Sequence, residues 1–279
     1  MVYILLPVHN RKKITLDFIK SLNKQTYKKI FLILIDDGST DGTADAVIDQ
    51  YKNTHVIYGN GNLWWAGSLQ KGYEYLINNR DVADDDFVLI INDDTKIKKD
   101  YVQNGVKIMG ENPQCLLGSI AISEQNGRLS DAGKKIDWKR YKIENIKDGD
   151  KIGCLSTRGL FMKYESFKNL GGFHPKILPH YLSDYEYTIR ASEKDYNLIC
   201  DKTFFLLRNE ETTGIHSVKN INKNIFTRLK IMFSPKYAQN PFYVSIFILL
   251  RCPLRYKFIN ILKIWLKFVY LLFEKNHKI

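Results

Sequence analysis

Three polar side chains at one point of this chain have the types and spacing needed to bind a divalent cation. Asn92, Asp93 and Asp94 directly follow the apolar run 87–91. Adjacent carboxylates repel each other unless a cation lies beside them, and Mg²⁺ or Mn²⁺ commonly combines one or two carboxylates with phosphate oxygens. The sequence therefore predicts a metal and phosphate site here. A solvated turn rich in Asn and Asp is the alternative interpretation.

A second acidic turn follows another short apolar run. Asp36 and Asp37 come after the run 30–35, and Ser39 and Thr40 follow them. A carboxylate at this point can accept hydrogen bonds from a ribose or from a base N–H. The alternative is a loop in which Ser39 or Thr40 caps the next helix.

The elements around these turns alternate between strands and helices. Runs of five or six apolar residues are too short for typical helices and predict strands buried on both faces. The alternation predicts a parallel, βαβ-type sheet over the first ~100 residues, in which ligands bind at the carboxyl ends of the strands. The predicted strands are 2–6, 30–35, 55–58 and 87–91, and the predicted helices are 11–23, 43–51 and the run that begins near Trp64.

Composition divides the 279 residues into two parts. The net charge is +12, but 12 Lys and Arg residues and one acidic residue lie after residue 218, which leaves the first 218 residues close to neutral. We therefore expect one α/β domain over 1–218 and a basic extension over 219–279. No GxxxxGK[ST] or GxGxxG segment follows a predicted strand, which disfavours the common ATP and dinucleotide folds. Four widely spaced cysteines indicate a reducing compartment and no zinc site.

The extension carries two apolar runs, 242–250 and 256–273. The first is too short to span a bilayer, and the second places Lys257, Asn260 and Lys263 on one side of a helix. This pattern predicts a helix that lies at the surface of an anionic membrane. A helical pair that packs on the body or forms a homodimer is the alternative. Nucleic acid is not expected as a partner, because the body has no recognised nucleic-acid-binding motif.

Taken together, these motifs resemble the family 2 glycosyltransferases of the GT-A fold. The resemblance covers about residues 2–217. It implies a mostly parallel α/β sheet flanked by helices, with the C-terminal helices as an extension. The matching segments are Pro7–Asn10, Asp36–Gly42, Asn62–Gly72, Asn92–Asp94, Gly159–Phe173 and Ser183–Arg190.

The resemblance implies a set of residues that bind the nucleotide-sugar donor. Pro7, His9 and Asp37 would surround the nucleotide base, and Trp65 would lie beside it. Asp93 would lie next to the nucleotide sugar. His9 stands where the family more often has an aromatic residue.

The resemblance also implies a metal site for Mn²⁺ or Mg²⁺. The family's two-aspartate motif becomes Asn92-x-Asp94, so Asp94 would carry most of the metal binding. His216 would complete the ligand set, and an imidazole ligand suits Mn²⁺. A structural role for His216 is the alternative.

Five residues are expected on the acceptor side. By the resemblance, Asp184 is the catalytic base, Gly159 belongs to the acceptor loop, and Glu186 replaces the family's second acid. Considered alone, Asp184 precedes a predicted helix at 185–194, and its alternative role is an N-cap. Either Trp64 or its neighbour would stack on a sugar or base, and His180 would contact the acceptor or compete as a metal ligand.

Segment Asn62–Gly72 resembles the variant common in bacterial rhamnosyltransferases and related cell-surface polysaccharide transferases. The resemblance thus implies an inverting, metal-dependent glycosyltransferase that builds a bacterial surface glycan on a lipid-linked or oligosaccharide acceptor. The expected location is the cytoplasm, at the cytoplasmic face of the inner membrane. One alternative is a nucleotidyltransferase, which would need a Gly-rich basic loop where Pro7–Asn10 stands. The other is a non-catalytic membrane-binding or glycan-binding protein, for which Asn92 is the only indication.

Overall fold

A computed structural model describes residues 1–79, 81–209 and 225–273 of the chain. The strands in these ranges are β1 Val2–Val8, β2 Ile30–Asp36, β3 Thr54–Tyr58, β4 Phe87–Ile90, β5 Thr95–Ile97, β6 Cys115–Ser123, β7 Leu129–Asp131, β8 Lys134–Asp137, β9 Lys142–Asn145, β10 Leu160–Lys163 and β11 Asn197–Arg208. The helices are α1 Lys12–Asn23, α2 Thr43–Gln50, α3 Trp64–Asn78, α4 Tyr101–Glu111, α5 Tyr164–Leu170, α6 Ser183–Glu193, α7 Ile225–Met232, α8 Pro241–Arg251 and α9 Leu254–Phe273.

One large sheet runs through the body in the order β3-β2-β1-β4-β10-β6-β11-β5, with β7 beside β6. The pairs among β1, β2, β3 and β4 are parallel, which confirms the predicted βαβ-type sheet. Strand β10 is antiparallel to both of its neighbours, and β11 returns parallel to β6. The reversed β10 brings a distant part of the chain to the carboxyl end of β4.

Helices cover both faces of the sheet. Because successive strand residues point to opposite faces, Ile4 lies in a cluster with Phe18 of α1, while Leu5 lies in a cluster with Leu69 of α3 and Phe167 of α5. This two-sided burial explains why the strands read as unbroken apolar runs. The predicted α/β class is therefore confirmed. The first strand was predicted as 2–6, and β1 continues two residues further, to Val8.

The C-terminal helices pack on the body. Phe247 of α8 is fully buried in a cluster with Leu178 and Ile189 of the body. Helix α9 packs on α8, and its Asn260 is fully buried with its Nδ2 atom donating to the Trp138 carbonyl at 2.6 Å. The placement of Asn260 on the solvated side of this helix was therefore wrong. A buried amide paired with a backbone carbonyl fixes α9 against the body.

The outer side of α9 is apolar and exposed. Leu254, Phe258, Leu266, Tyr270 and Phe273 each expose 61% or more of their surface. We call these five residues the outer face of α9. Within the described residues, no helix is both long enough and apolar enough to cross a bilayer.

Candidate active site

The predicted donor residues lie at the carboxyl ends of three neighbouring strands. Strands β2, β1 and β4 are adjacent and parallel, so their ends meet at one edge of the sheet. Pro7 is buried in β1, opposite Ile35. His9 is exposed just beyond that strand, and its Nδ1 atom lies 2.6 Å from the Asp37 carbonyl oxygen. Since a carbonyl only accepts, Nδ1 donates to it, and Nε2 lies 3.3 Å from the side-chain amide nitrogen of Asn10.

Asp37 organises the loop that precedes α3. Its Oδ1 atom accepts the Gly61 N–H at 2.8 Å, and its Oδ2 atom accepts the N–H groups of Leu63 at 2.9 Å and Trp64 at 3.2 Å. Gly38, with a φ of +72°, lies so close to this loop that a Cβ atom would be 2.8 Å from the Gly61 nitrogen. The carboxylate thus fixes the start of α3, a role that local sequence did not reveal. Its contact with a nucleotide base stays a prediction.

Two carboxylates at the end of β4 are held by α1. The Oδ1 atom of Asp93 lies 3.2 Å from Arg11 Nη1, and its Oδ2 atom accepts the Thr15 hydroxyl at 2.9 Å. The Oδ2 atom of Asp94 lies 3.5 Å from Arg11 Nη2. Burial raises the pKa of Asp93 to about 6 despite the arginine, because its carboxyl group is almost removed from water.

The carboxylates at this edge suit a divalent cation that is bound by phosphate oxygens at the same time. Asp94 is only 8% exposed and Asp93 only 2%. No group of three His, Cys, Asp or Glu side chains that could hold a metal occurs within 1–79, 81–209 and 225–273. One or two carboxylates, completed by diphosphate oxygens, fit the way that Mg²⁺ and Mn²⁺ are usually bound. The predicted ligand His216 lies outside the described residues.

Gly159 brings β10 to the same edge. Its N–H donates to the Ile90 carbonyl at 2.9 Å, and its carbonyl accepts the Ser119 N–H at 2.9 Å. Its φ is +80°, and a Cβ atom would collide with the hydroxyl groups of Ser119 and Tyr101. A glycine is therefore required for segment 157–159 to lie close to the end of β4.

Asp184 lies in the first turn of α6, near Arg158 of this segment. Leu182, with a φ of +68°, occupies the N-cap position, so the alternative role of Asp184 as the N-cap was wrong. The Oδ1 atom of Asp184 accepts the N–H of Tyr185 at 2.9 Å. Burial raises the pKa of Asp184 to about 6, and the positive charge of Arg158 opposes that rise while Asp131 adds to it. A carboxyl group with this pKa can accept a proton near neutral pH.

Glu186 lies one half-turn away but points into an ion-pair network. It is 1% exposed, and its Oε1 atom contacts Arg190 Nε at 3.1 Å and Arg251 Nη2 at 2.5 Å. Arg251 belongs to α8 and also contacts Glu193 at 2.5 Å. These ion pairs show that Glu186 attaches α8 to the body, and its expected place on the acceptor side stays a prediction.

The two tryptophans lie at the start of α3. The Trp65 Nε1–H donates to the Thr157 hydroxyl at 2.9 Å, which places its ring beside segment 157–159. The Trp64 ring lies 6.0 Å from the His180 ring and 5.6 Å from the Lys236 ammonium group. Both indoles are half-buried, so the structure leaves each with an accessible part.

Three cations around the site were not found by sequence reasoning. Arg11 bridges Asp93 and Asp94, Arg158 lies near the predicted base, and Lys236 reaches Trp64 from the segment between α7 and α8. Only Arg11 had a sequence signal, because it begins the helix that follows the first strand.

Comparison with known proteins identifies the family. The family model described as glycosyl transferase family 2 matches residues 3–171. An N-acetylglucosaminyl-diphospho-decaprenol L-rhamnosyltransferase of Mycobacterium tuberculosis is 22% identical over 181 residues, which cover 56% of this chain and 59% of that protein. An uncharacterised glycosyltransferase of Haemophilus influenzae is 28% identical over 145 residues, which cover 50% of this chain and 55% of that protein. The chain thus spans little more than half the length of these relatives.

Solved structures show the same fold. The mannosyltransferase PcManGT from Pyrobaculum calidifontis, in complex with GDP-Man and Mn²⁺, has a TM-score of 0.56 and 14% identity, and the match covers 97% of this chain and 69% of that one. This similarity confirms the GT-A fold that the motifs predicted. The family model spans more than half of the chain and includes both acidic strand ends. The chain belongs to glycosyl transferase family 2.

Proposed function

We propose that this protein is an inverting, metal-dependent glycosyltransferase that moves a sugar from a nucleotide diphosphate to a lipid-linked glycan acceptor. The observation that carries the proposal is that segment 157–159 lies next to both acidic positions, with Gly159 hydrogen-bonded to the end of β4 and Arg158 near Asp184. Asp93 and Asp94 lie at the end of β4, and Asp184 lies in α6. Direct displacement needs the leaving group and the proton acceptor on opposite faces of the sugar, and these two positions would serve the two sides.

The donor side would bind the nucleotide sugar. The expected binding site of the nucleotide base is lined by Pro7, His9, Asp37 and Trp65. A divalent cation, Mn²⁺ or Mg²⁺, would stabilise the negative charge on the leaving diphosphate. Asp94 would bind this cation. Arg11, whose Nη2 atom lies near the Asp94 carboxylate, supplies further positive charge. The Mn²⁺ in the PcManGT complex supports the use of a divalent cation in this fold.

On the acceptor side, Asp184 would remove the proton from the attacking hydroxyl group. Its raised pKa makes it a stronger base than an exposed aspartate while it stays mostly ionised at pH 7. Arg158 limits the rise in pKa and so keeps that ionised fraction high. Gly159 permits the close approach of this segment, and His180 and Trp64 would line the acceptor path.

We further propose that the acceptor is linked to a lipid and serves bacterial surface polysaccharide synthesis. The name of the mycobacterial relative describes a lipid diphosphate acceptor, which supports this class. The outer face of α9 and the basic extension would hold the protein at the cytoplasmic face of the inner membrane. A homodimer formed through the same face is the competing explanation.

Two measurements test the reaction. A thermal-shift screen of nucleotide sugars should show one donor that raises the melting temperature, because binding to the folded state stabilises it. Donor hydrolysis should then depend on Mn²⁺ or Mg²⁺ and stop with EDTA. Release of pyrophosphate from a nucleoside triphosphate would instead show a nucleotidyltransferase. Binding without turnover of any donor, with glycan acceptors present, would show a non-catalytic protein.

Substitution tests membrane binding better than truncation, because Phe247 and Arg251 of α8 pack on the body. Phe258 is 80% exposed, so Phe258→Ser should weaken co-sedimentation with anionic vesicles while the protein stays folded. Leu129→Ser is the matched control, since Leu129 is 59% exposed on the body. Equal binding of both variants, or no binding of the unmodified protein at low salt, would contradict the membrane proposal, and the helices would then belong to the fold or to a dimer.

A further inference from the structure

A small cluster of one lysine, one tryptophan and one histidine lies where the extension meets the acceptor side. The ammonium group of Lys236 lies 5.6 Å from the centre of the Trp64 ring, and that ring contacts His180. Within the described parts of the chain, no carboxylate pairs with Lys236. The buried Nδ1 atom of His180 has no hydrogen-bond partner within the described protein. Among the described residues, the cluster thus combines one positive charge that has no carboxylate partner with one imidazole nitrogen that has no hydrogen bond.

Both sides of the cluster are held in place. Tyr237, next to Lys236, is 3% exposed and packs with Phe268 of α9. Asn240, which is 2% exposed, caps α8 by accepting the Phe242 N–H at 3.0 Å. Across the cluster, the Ala66 N–H donates to the Pro179 carbonyl at 2.9 Å and joins the His180 loop to α3. Lys236 is therefore placed by fixed backbone on both sides.

The chemistry of the cluster suits a phosphate group near a lipid. Burial and the neighbouring Lys236 lower the pKa of His180 to about 4, so this imidazole is neutral at pH 7 and carries one N–H. A lysine ammonium binds phosphate as a point charge. Phe233 and Phe242, which flank Lys236 in the chain, are 43% and 54% exposed and offer apolar surface for a hydrocarbon chain.

We propose that Lys236 and His180 bind the phosphate groups that join the acceptor glycan to its lipid. This inference rests on the proposed function and adds a site to it. The donor diphosphate is expected elsewhere, at the end of β4 beside Asp93 and Asp94. The cluster instead lies among Trp64, the His180 loop and the extension, which carries the exposed apolar residues.

Direct binding tests the site without turnover. Farnesyl diphosphate is a soluble probe with the required phosphates and an isoprenoid chain, and farnesol is the same chain without phosphate. By calorimetry, Lys236→Ala should weaken farnesyl diphosphate binding about tenfold, as expected for loss of a hydrogen bond to a charged group. Lys236→Arg should keep most of the affinity, and Lys230→Ala, the matched loss of an exposed lysine, should have no effect. No binding by the unmodified protein, or equal loss in both alanine variants, would overturn the proposal.

Kinetics then distinguish this site from the donor site. With a lipid diphosphate acceptor, Lys236→Ala should raise the acceptor KM about tenfold and leave the donor KM unchanged. With the same glycan on a neutral alkyl chain, the variant should match the unmodified protein. A raised donor KM would assign Lys236 to the donor diphosphate and overturn the inference. Failure of the proposed function would show separately, as the absence of donor binding in the nucleotide-sugar screen.

Discussion

Asp93 at the end of β4 and Asp184 at the start of α6 reach a similar pKa in different surroundings. Burial raises the pKa of each to about 6. Asp93 is tied to α1 through Arg11 and Thr15, whereas Asp184 accepts the N–H of its neighbour Tyr185. The first arrangement holds a fixed negative charge against a helix. The second leaves a carboxyl group better suited to exchange a proton with a bound acceptor.

The same contrast extends to the two halves of the site. The donor half is built from consecutive βαβ units, so its parts are close in sequence. The acceptor half combines β10, α6 and α8, which are brought together by contacts such as Glu186 with Arg251. The donor half therefore depends on local order, and the acceptor half depends on the attachment of the extension.

The largest effect is expected at the donor edge. Asp94→Ala removes the main predicted metal ligand, and turnover should fall by ~10⁴-fold because the leaving diphosphate loses its stabilising charge. Nucleotide binding should also lose its dependence on Mn²⁺, as measured by calorimetry. Asp49→Ala, on the exposed surface of α2, is the control. Unchanged nucleotide affinity in Asp94→Ala and in EDTA would refute the metal assignment.

Substitution of the acceptor-side acid should separate chemistry from donor binding. Asp184→Asn keeps the shape and the bond from Tyr185 but cannot accept a proton, so kcat should fall by ~10³-fold. The KM for the donor should stay the same, in contrast to the effect at Asp94. Asp195→Asn is the control, because Asp195 is exposed just after α6. Near-normal transfer by Asp184→Asn would show that Asp184 is not the catalytic base and has a structural role.

The pH dependence of transfer should follow the raised pKa of Asp184. The base works only when ionised, so kcat should rise with pH and level off above about 6. One pH unit below that value, the rate should be ~10% of the plateau, since the ionised fraction falls tenfold per unit. Steady-state kinetics with a metal-saturated enzyme measure this profile. A plateau that extends down to pH 4.5 would contradict both the raised pKa and the assigned role.

The smallest effect is expected at the attachment of the extension. Arg251→Met removes one of two arginines from the buried Glu186 and should lower the free energy of unfolding by ~2 kcal/mol. Glu193→Gln disturbs only the exposed partner of Arg251 and should cost less than ~1 kcal/mol. Urea denaturation compares the two variants. Equal stability of both would show that the acceptor half does not depend on this network.

The donor half of the fold was largely predictable from the sequence. Strands β1 to β4 and the helices between them were predicted to within one or two residues at most ends, because each apolar run and each acidic turn is a local signal. The same local signals placed Asp37 and Asp94 at one edge of the sheet. The boundary near residue 218 came from charge alone and stays a prediction.

Only the tertiary structure decided the rest of the site. Reversal of β10 brings Gly159 to Ile90, and the fold carries Arg251 to Glu186 and Lys236 to Trp64 across long separations in sequence. Such contacts are not indicated by the spacing of apolar residues within a helix or a strand. They depend on how whole elements pack against each other, which is also why Asn260 became a buried hydrogen-bonding group and not part of a solvated stripe. Sequence thus determined which residues end the strands, and packing determined which charges meet them.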